Sequence, residues 1–488
     1  MLAGVDIGST GLKVSVFSGA GERIRYAYRE YSLEYRGGDQ VVIDPEVWWE
    51  SFCSCVEEIG KTLDLRGLRG IGVSHANAMV LADSRGKPLF PAIMQLDKRG
   101  AEMVPVLARE LGNDRIFEIT GNNNAAGFVW GPTLKWLWER EREAYRQVRW
   151  LLNPASYLVL RLTGAYCMDH TRAATTMLYD IRRRRWDPAL CEYFHLAPEA
   201  MPRLCGGREI VGRTTGAGGL PADIPVAAGS MDTISAVVGL SSGRQANALI
   251  LGSVGRFALA AQQLDRRFLN TLTPDGGMYV SMTPVNNAGI AVKWIRDLLL
   301  PGTRGQADSF EMLNRLAGQV GPGAEGLMFF PYLNGASCPN WDNTVRGTFA
   351  NIQAYHGPGH FSRAVFEGVG YTLAESLLIF LQNGGELQSP VYCGGGGAKS
   401  TVWTQILSDM LGQPLLIPEH LETETMGAAI LAGQAIGALE DAVSWNRVVR
   451  TVYPDGENHR LYQELLRRFM EAYPAVRSLS QVTGQRET

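Results

Sequence analysis

The stretch Leu2-Ala3-Gly4-Val5-Asp6-Ile7-Gly8-Ser9-Thr10-Gly11-Leu12-Lys13-Val14-Ser15-Val16-Phe17 reads as an apolar strand, a turn of small and hydroxylated residues, and a second strand in which Leu12, Val14 and Val16 alternate with Lys13, Ser15 and Phe17. A third strand, Arg23 to Tyr31, follows the Gly19-Ala20-Gly21 turn. The pattern returns at Ala248-Leu249-Ile250-Leu251, Gly252-Ser253-Val254-Gly255 and Arg256-Phe257-Ala258-Leu259-Ala260. Each half of the chain thus opens on a hairpin of one kind, which predicts an internal duplication. The boundary is expected between Leu240 and Asn247, where Ser241-Ser242-Gly243 offers a hinge, giving domains of 1–244 and 245–488.

Helices follow the strands in both halves, so the class is α/β. Asp44-Pro45-Glu46 is an N-cap followed by proline, leading into Val47, Trp48, Phe52, Val56 and Ile59. Further helices are expected over Thr133 to Tyr145, Phe361 to Leu381 and Thr401 to Leu411, and the last forty or so residues read as helical and then frayed. The run Arg182 to Arg185 reads as a solvated turn.

With 488 residues, 45% hydrophobic and 19% charged, the chain is long enough for two buried cores. A net charge of -3 leaves no basic excess for a phosphate backbone, which argues against nucleic acid as a partner. The seven cysteines, at 53, 55, 167, 191, 205, 338 and 393, form neither a disulfide framework nor zinc-type pairs. The N-terminus lacks a basic region followed by an apolar core, and no apolar run approaches the roughly 20 residues of a membrane span. A soluble cytoplasmic protein is the expectation, with no membrane association.

Turns of small residues let backbone N–H groups approach phosphate oxygens, and hydroxyls add donors. Gly8-Ser9-Thr10-Gly11 and Gly252-Ser253-Val254-Gly255 both have that character. Asp6, inside an apolar strand, is costly to bury unless it faces a cation, and Mg²⁺ is the usual companion of nucleotide phosphates. Lys13 is either a phosphate partner or an exposed strand lysine. Ala227-Ala228-Gly229-Ser230-Met231-Asp232-Thr233 puts one carboxylate among small residues where an apolar segment gives way to a helix. Asp232 there is either an N-cap or a proton acceptor near a helix start. Val391-Tyr392-Cys393 runs into Gly394-Gly395-Gly396-Gly397-Ala398-Lys399-Ser400 and a helix, which admits a nucleotide at the helix start. It is neither a Walker loop nor a dinucleotide fingerprint. Two acids, one for metal and one for a hydroxyl proton, point to phosphoryl transfer.

In this order, from Gly4 to about Gly437, these elements resemble the FGGY carbohydrate kinases of the actin and hexokinase-like superfamily. The resemblance implies a two-lobed, ribonuclease H-like duplicated α/β fold with an interlobe cleft, and ATP and Mg²⁺ as cofactors. It implies that Ser9, Thr10 and Lys13 belong to a first phosphate motif, and Gly252 and Ser253 to a second. Gly289 and Lys293 would line the nucleotide cleft, and Gly396, Gly397, Ala398 and Thr401, continuing to Glu424-Thr425-Met426-Gly427-Ala428-Ala429, would take the adenosine. Asp232 stands where the family has its catalytic base, and Asp6 is assigned to the metal.

Departures bear on the substrate. Xylulose kinases of the family carry a Ser-Gly-Gln-Met-His-Gly segment and glycerol kinases an Arg-Glu pair, where this chain has Ser74-His75-Ala76-Asn77-Ala78-Met79. Gly335-Ala336-Ser337-Cys338-Pro339 replaces a Gly-Glu-Arg-Thr-Pro common among xylulose kinases. Left for the acceptor are His75, Asn77, Asp97, Arg99, Asp232 and Thr233, polar groups that suit a polyhydroxylated ligand, together with Phe128, which the resemblance puts near a glycerol-kinase tyrosine. Asp97 with Arg99 is equally a salt bridge bracing its loop, and His75 equally a satisfied core histidine. The expected activity is ATP-dependent phosphorylation of a small open-chain sugar, a ketopentose such as xylulose or ribulose. A polyol or aldonate (glycerol, erythritol, gluconate) is the alternative acceptor. From other classes, the rivals are an actin- or chaperone-like ATPase switch and a silent sugar-binding protein. A homodimer is compatible by family analogy.

Overall fold

The structure is a computed structural model describing residues 1–244, 246–303, 306, 308–439, 442 and 444–482. It separates into two compact units, the first made of Met1–Gln245, Asn270–Val280 and Thr423–Asn446, the second of Ala246–Leu269, Ser281–Glu422 and Arg447–Thr488. The expected division at 244/245 lies beside the first crossing, although Gln245 itself falls outside the described residues. The two returns of the chain to the first unit, at 270–280 and 423–446, had no local signal.

In the first unit, β1 (Leu2–Ile7), β2 (Gly11–Phe17), β3 (Arg23–Glu30), β4 (Gly70–His75), β5 (Ile210–Arg213) and β6 (Pro225–Met231) make one sheet in the order β5-β6-β4-β1-β2-β3. β1 and β2 form the expected hairpin, with Asp6 opposite Lys13. β4 lies parallel to both β1 and β6, and β5 closes the edge antiparallel. The second unit repeats this order with β7 (Ala248–Leu251), β8 (Gly255–Ala261), β9 (Tyr279–Val285), β10 (Val391–Gly394), β11 (Leu415–Pro418) and β12 (Val448–Val452), arranged β9-β8-β7-β10-β11-β12. Again a hairpin is followed by two parallel neighbours and an antiparallel edge. The duplication is therefore one of topology, with the turns at 8–10 and 252–254 at equivalent places.

Helix α1 (Pro45–Gly60) starts as expected, Asp44 accepting from the Glu46 N–H at 3.0 Å, and buries Trp48, Phe52, Val56 and Ile59 against the first sheet. The helix expected over 133–145 is two pieces, α2 (Gly131–Arg140) and α3 (Arg142–Tyr145). Glu141 leaves helical geometry, and the bend carries Tyr145 into the core, where its hydroxyl donates to the Phe194 carbonyl at 2.7 Å. The run 182–185 is a turn feeding a short hairpin, with Arg183 paired to Asp180 at 3.0 Å. Further on come α4 (His170–Ala173), α5 (Asp232–Leu240), α6 (Ala288–Leu299), α7 (Pro358–Gln382), α8 (Thr401–Leu411), α9 (Glu424–Ala435) and α10 (Gly456–Val482).

Two further expectations need correction. Val448–Val452 is an edge strand, because its β-branched residues pair with β11 before the helix begins at Gly456; residues 483–488 lie outside the described residues. The 25-residue α7 is long and apolar enough to cross a membrane, yet 83% of its apolar window is buried inside the second unit, as in a core helix. Within the stretch 241–243, the Ser242 hydroxyl accepts from the Asn446 N–H at 3.1 Å.

Candidate active site

Three parallel strands of the first unit end side by side, and their last residues carry the candidate chemistry. Asp6 is opposite Ser74 and Ile7 opposite His75 in the β1–β4 ladder, and His75 is opposite Met231 in the β4–β6 ladder. Asp6 and Asp232 are thus two strand spacings apart along the row, about 10 Å between backbones. They lie at the carboxyl ends of parallel strands, where open α/β sheets bind ligands. A bulge between Ala227 and Ser230 turns β6 into α5. It needs Gly229, whose φ is +75° and where a β-carbon would lie 1.7 Å from the Val73 carbonyl oxygen.

Asp232 is the first residue of α5, with Met231 at the capping position, so the N-cap reading does not hold. Its Oδ1 accepts from the Thr233 N–H at 2.6 Å and the Thr233 hydroxyl at 3.2 Å. Asp232 is half-buried and Thr233 buried.

Asp6 is 3% exposed. Ser74 donates to its Oδ1 at 2.8 Å, and the Lys13 ammonium lies 3.8 Å from Oδ2. Burial first, then the charge of Glu424, pushes the Asp6 carboxyl up to about 7 against the pull of Lys13 and Ser74, with Asp232 adding to the rise. This acidic corner fits a hard divalent cation, which would relieve the repulsion. Among the described residues no three His, Cys, Asp or Glu side chains converge on a metal site. A cation there would rest on one or two carboxylates with water and phosphate, the manner of Mg²⁺.

Glu424 arrives from far along the chain because α9 lies flush on β1 and β4. A β-carbon on Gly4 would sit 1.8 Å from the Thr425 carbonyl oxygen, and one on Gly72 1.9 Å from that of Ala428. The Glu424–Ala429 segment, assigned from the resemblance to the adenosine side of the second half, thus belongs to the first unit beside Asp6.

In the second unit, the turn after β7, the start of α6 and the four-glycine bend after β10 come together. The Gly289 N–H donates to the Gly252 carbonyl at 3.0 Å, and Ile290 N–H to that of Ser253 at 3.3 Å. Gly395, at φ +79°, leaves room for the Leu251 backbone, which a β-carbon would approach to 2.8 Å. Gly397 packs against Leu251 and Trp403, while Gly396, Lys293 and Thr401 are exposed. The bend closes as a short 3₁₀ turn, Gly396–Lys399, with Ser400 capping α8 through the Trp403 N–H at 2.9 Å. Arg450, which carried no sequence signal, donates to the Ala398 carbonyl at 3.0 Å.

Residues 1–239 match the FGGY family of carbohydrate kinases, N-terminal domain, and residues 252–436 the C-terminal domain of the same family. The chain belongs to the FGGY family of carbohydrate kinases. It is therefore a phosphotransferase with an alcohol group as acceptor, on the two-domain actin/hexokinase-like fold. This FGGY kinase is 29% identical to the xylulose kinase of Escherichia coli K12 over 97% of this chain and 98% of that one. It is 27% identical to the gluconokinase of Bacillus subtilis 168, covering 91% and 89%. The crystal structure of xylulose kinase from Rhodospirillum rubrum superposes with a TM-score of 0.91 at 25% identity, covering 98% and 99%.

The kinase's candidate sugar residues divide into two groups. His75 is fully buried, with Nε2 3.1 Å from Asp169 Oδ2 and Nδ1 3.0 Å from its neighbour Ala76's carbonyl, the arrangement of a satisfied core histidine. Asp169 also caps α4, accepting from the Arg172 N–H at 3.0 Å and from the Thr171 hydroxyl. Asn77, Asp97, Arg99 and Phe128 gather elsewhere in the same unit. The Asn77 amide reaches the Phe128 carbonyl at 3.3 Å and accepts from Trp130 Nε1 at 2.9 Å. Lys98 stands 5.5 Å over the Phe128 ring. Asp97 is 1% exposed, takes Arg99 through two nitrogens at 2.7–3.0 Å, and accepts from the Val41 N–H at 2.8 Å. That pair braces the 95–99 loop. Sequence reasoning missed Asp169, Thr171 and Arg172, and put Glu424 with the adenosine; only Asp169, an acid ahead of Thr171, offered a capping signal.

Proposed function

We propose that this kinase transfers the terminal phosphoryl group of ATP to a hydroxyl of a small open-chain sugar, a ketopentose such as xylulose or ribulose. The observation that carries the reading is the pair of acids at the aligned ends of β1 and β6, Asp6 deeply buried beside Lys13 and Glu424, Asp232 half-buried and oriented by Thr233. The transition state of phosphoryl transfer is loose, so the protein contributes mainly alignment and charge neutralisation. Asp232 accepts the proton of the attacking hydroxyl, held in direction by the Thr233 N–H and hydroxyl. Ser9, Thr10 and Lys13 address phosphate from the first turn. Gly252, Ser253, Gly289, Lys293, Gly396, Gly397, Ala398 and Thr401 bind the nucleotide from the turn after β7, the start of α6 and the four-glycine bend. Mg²⁺ would be held through Asp6 and would supply positive charge to the phosphates.

The ketopentose reading draws on the xylulose kinases among the relatives, and the gluconokinase relative favours an aldonate as the second reading. The test is ADP release over a panel of ketopentoses, hexuloses, aldonates and polyols, with Asp232→Asn as control. A single preferred acceptor and a loss of roughly 10²-fold or more in Asp232→Asn are expected. Full turnover in Asp232→Asn, or ADP release that no acceptor stimulates, would sink the reading.

A further inference from the structure

Arg172 is 1% exposed, and its guanidinium makes a single side-chain hydrogen bond, Nη1 to the Thr175 hydroxyl at 2.9 Å. Nε and Nη2 are buried with no hydrogen-bond partner among the described residues. A guanidinium left that way is expensive unless its charge answers a nearby carboxylate. Asp169 is already engaged: Oδ2 by His75, Oδ1 by the Thr171 hydroxyl and by the backbone N–H of Arg172 itself. The Met231 N–H donates to Thr171 Oγ1 at 2.9 Å, so the residue before Arg172 is tied to the residue before Asp232. Thr271 fixes the same turn from the other side, its hydroxyl donating to the Thr171 carbonyl at 2.6 Å. Burial lowers the Arg172 guanidinium, and the carboxylates of Asp232 and then Asp169 oppose that lowering. Asp6 of β1 is in turn repelled by Glu424 of α9 and by Asp232.

We infer that Arg172, clamped through Thr171 to the strand end at Met231, is a positioning residue that holds the Asp232 carboxylate aimed at the acceptor hydroxyl. This rests on reading Asp232 as the base. His75 and Asp169 then form the buried footing of the device: they hold α4 against β4.

Two variants separate charge from packing. Arg172→Gln is neutral and keeps an amide that can donate to Thr175; Arg172→Lys keeps the charge. In ADP-release assays with the preferred acceptor, Arg172→Gln is expected to lose roughly 10²-fold in kcat, with KM for ATP within about twofold of the parent. Arg172→Lys is expected to recover at least about tenfold of that loss, although lysine cannot reproduce the guanidinium fork. Thermal melting of the Gln variant should match the parent, since Asp232 is only half-buried and Asp169 keeps its partners His75 and Thr171 when the guanidinium has gone. Equal kcat in the two variants, or a parent-like kcat in Arg172→Gln, overturns the inference, as does a fall in kcat that tracks loss of folded protein. If Asp232→Asn is inactive while Arg172→Gln is normal, the inference alone fails; if Asp232→Asn is fully active, the base assignment fails.

Discussion

The Lys13 ammonium lies 3.8 Å from the Asp6 carboxylate because the two residues face each other across the β1–β2 ladder. Lys13 keeps 28% of its side chain exposed, whereas Asp6 keeps 5%. One end of the pair thus reaches solvent and the other is locked in the sheet.

Lys13→Ala is expected to lower kcat/KM for ATP by roughly 10²-fold, the scale of losing one charge-stabilising group. Because Asp6 is buried and loses its cation, unfolding stability should fall by about 1–3 kcal/mol. Steady-state kinetics with urea denaturation of the same preparation checks both.

Gly4→Ala puts a methyl 1.8 Å from the Thr425 carbonyl, against backbone that no rotamer change can move. Destabilisation of at least about 3 kcal/mol is expected, measured by chemical denaturation. A near-neutral result would mean that α9 does not rest on β1.

Asp97→Ala removes one member of a buried pair and leaves the Arg99 guanidinium, itself 8% exposed, without its carboxylate. A loss of about 3–5 kcal/mol is expected. If Asp97 braces its loop, KM for the acceptor measured on the folded fraction should move far less than the melting temperature.

Glu375, in α7, is held up to about 7 by burial, against a hydrogen bond from the Asn340 side chain. Its folded value exceeds the ordinary 4.5, so the native state binds the extra proton between those values. Stability therefore falls as pH rises through that window. Glu375→Gln should remove this fall, gaining on the order of 3 kcal/mol over the parent between pH 4 and pH 8. Melting curves across pH test it; parallel curves for parent and variant would refute it.

Much of the fold was legible because it is written in short-range pattern. The two hairpins and the proline start of α1 stand where period and capping chemistry put them. The bend at Glu141 escaped, because a core position for Tyr145 overrides helix propensity there. So did the strand Val448–Val452, whose partner β11 is distant in sequence from any local signal. In the site, the small-residue turns and both aspartates could be read as residues with unusual burial costs. Arg172 could not, and Glu424 was placed with the adenosine rather than beside Asp6, since an arginine in a one-turn helix and a glutamate opening a helix are ordinary features locally.

By itself the sequence determined which segments are strands and turns, and that two carboxylates follow apolar strands among small residues; these depend on side-chain period and backbone freedom over a few residues. Only the tertiary structure decided that Asp6, Asp232, Glu424 and Arg172 share one neighbourhood, and that His75 faces Asp169. The reason is physical: parallel register and the seating of α9 on Gly4 and Gly72 are won by long-range burial, and no local pattern encodes which distant strand end or helix start will be its neighbour.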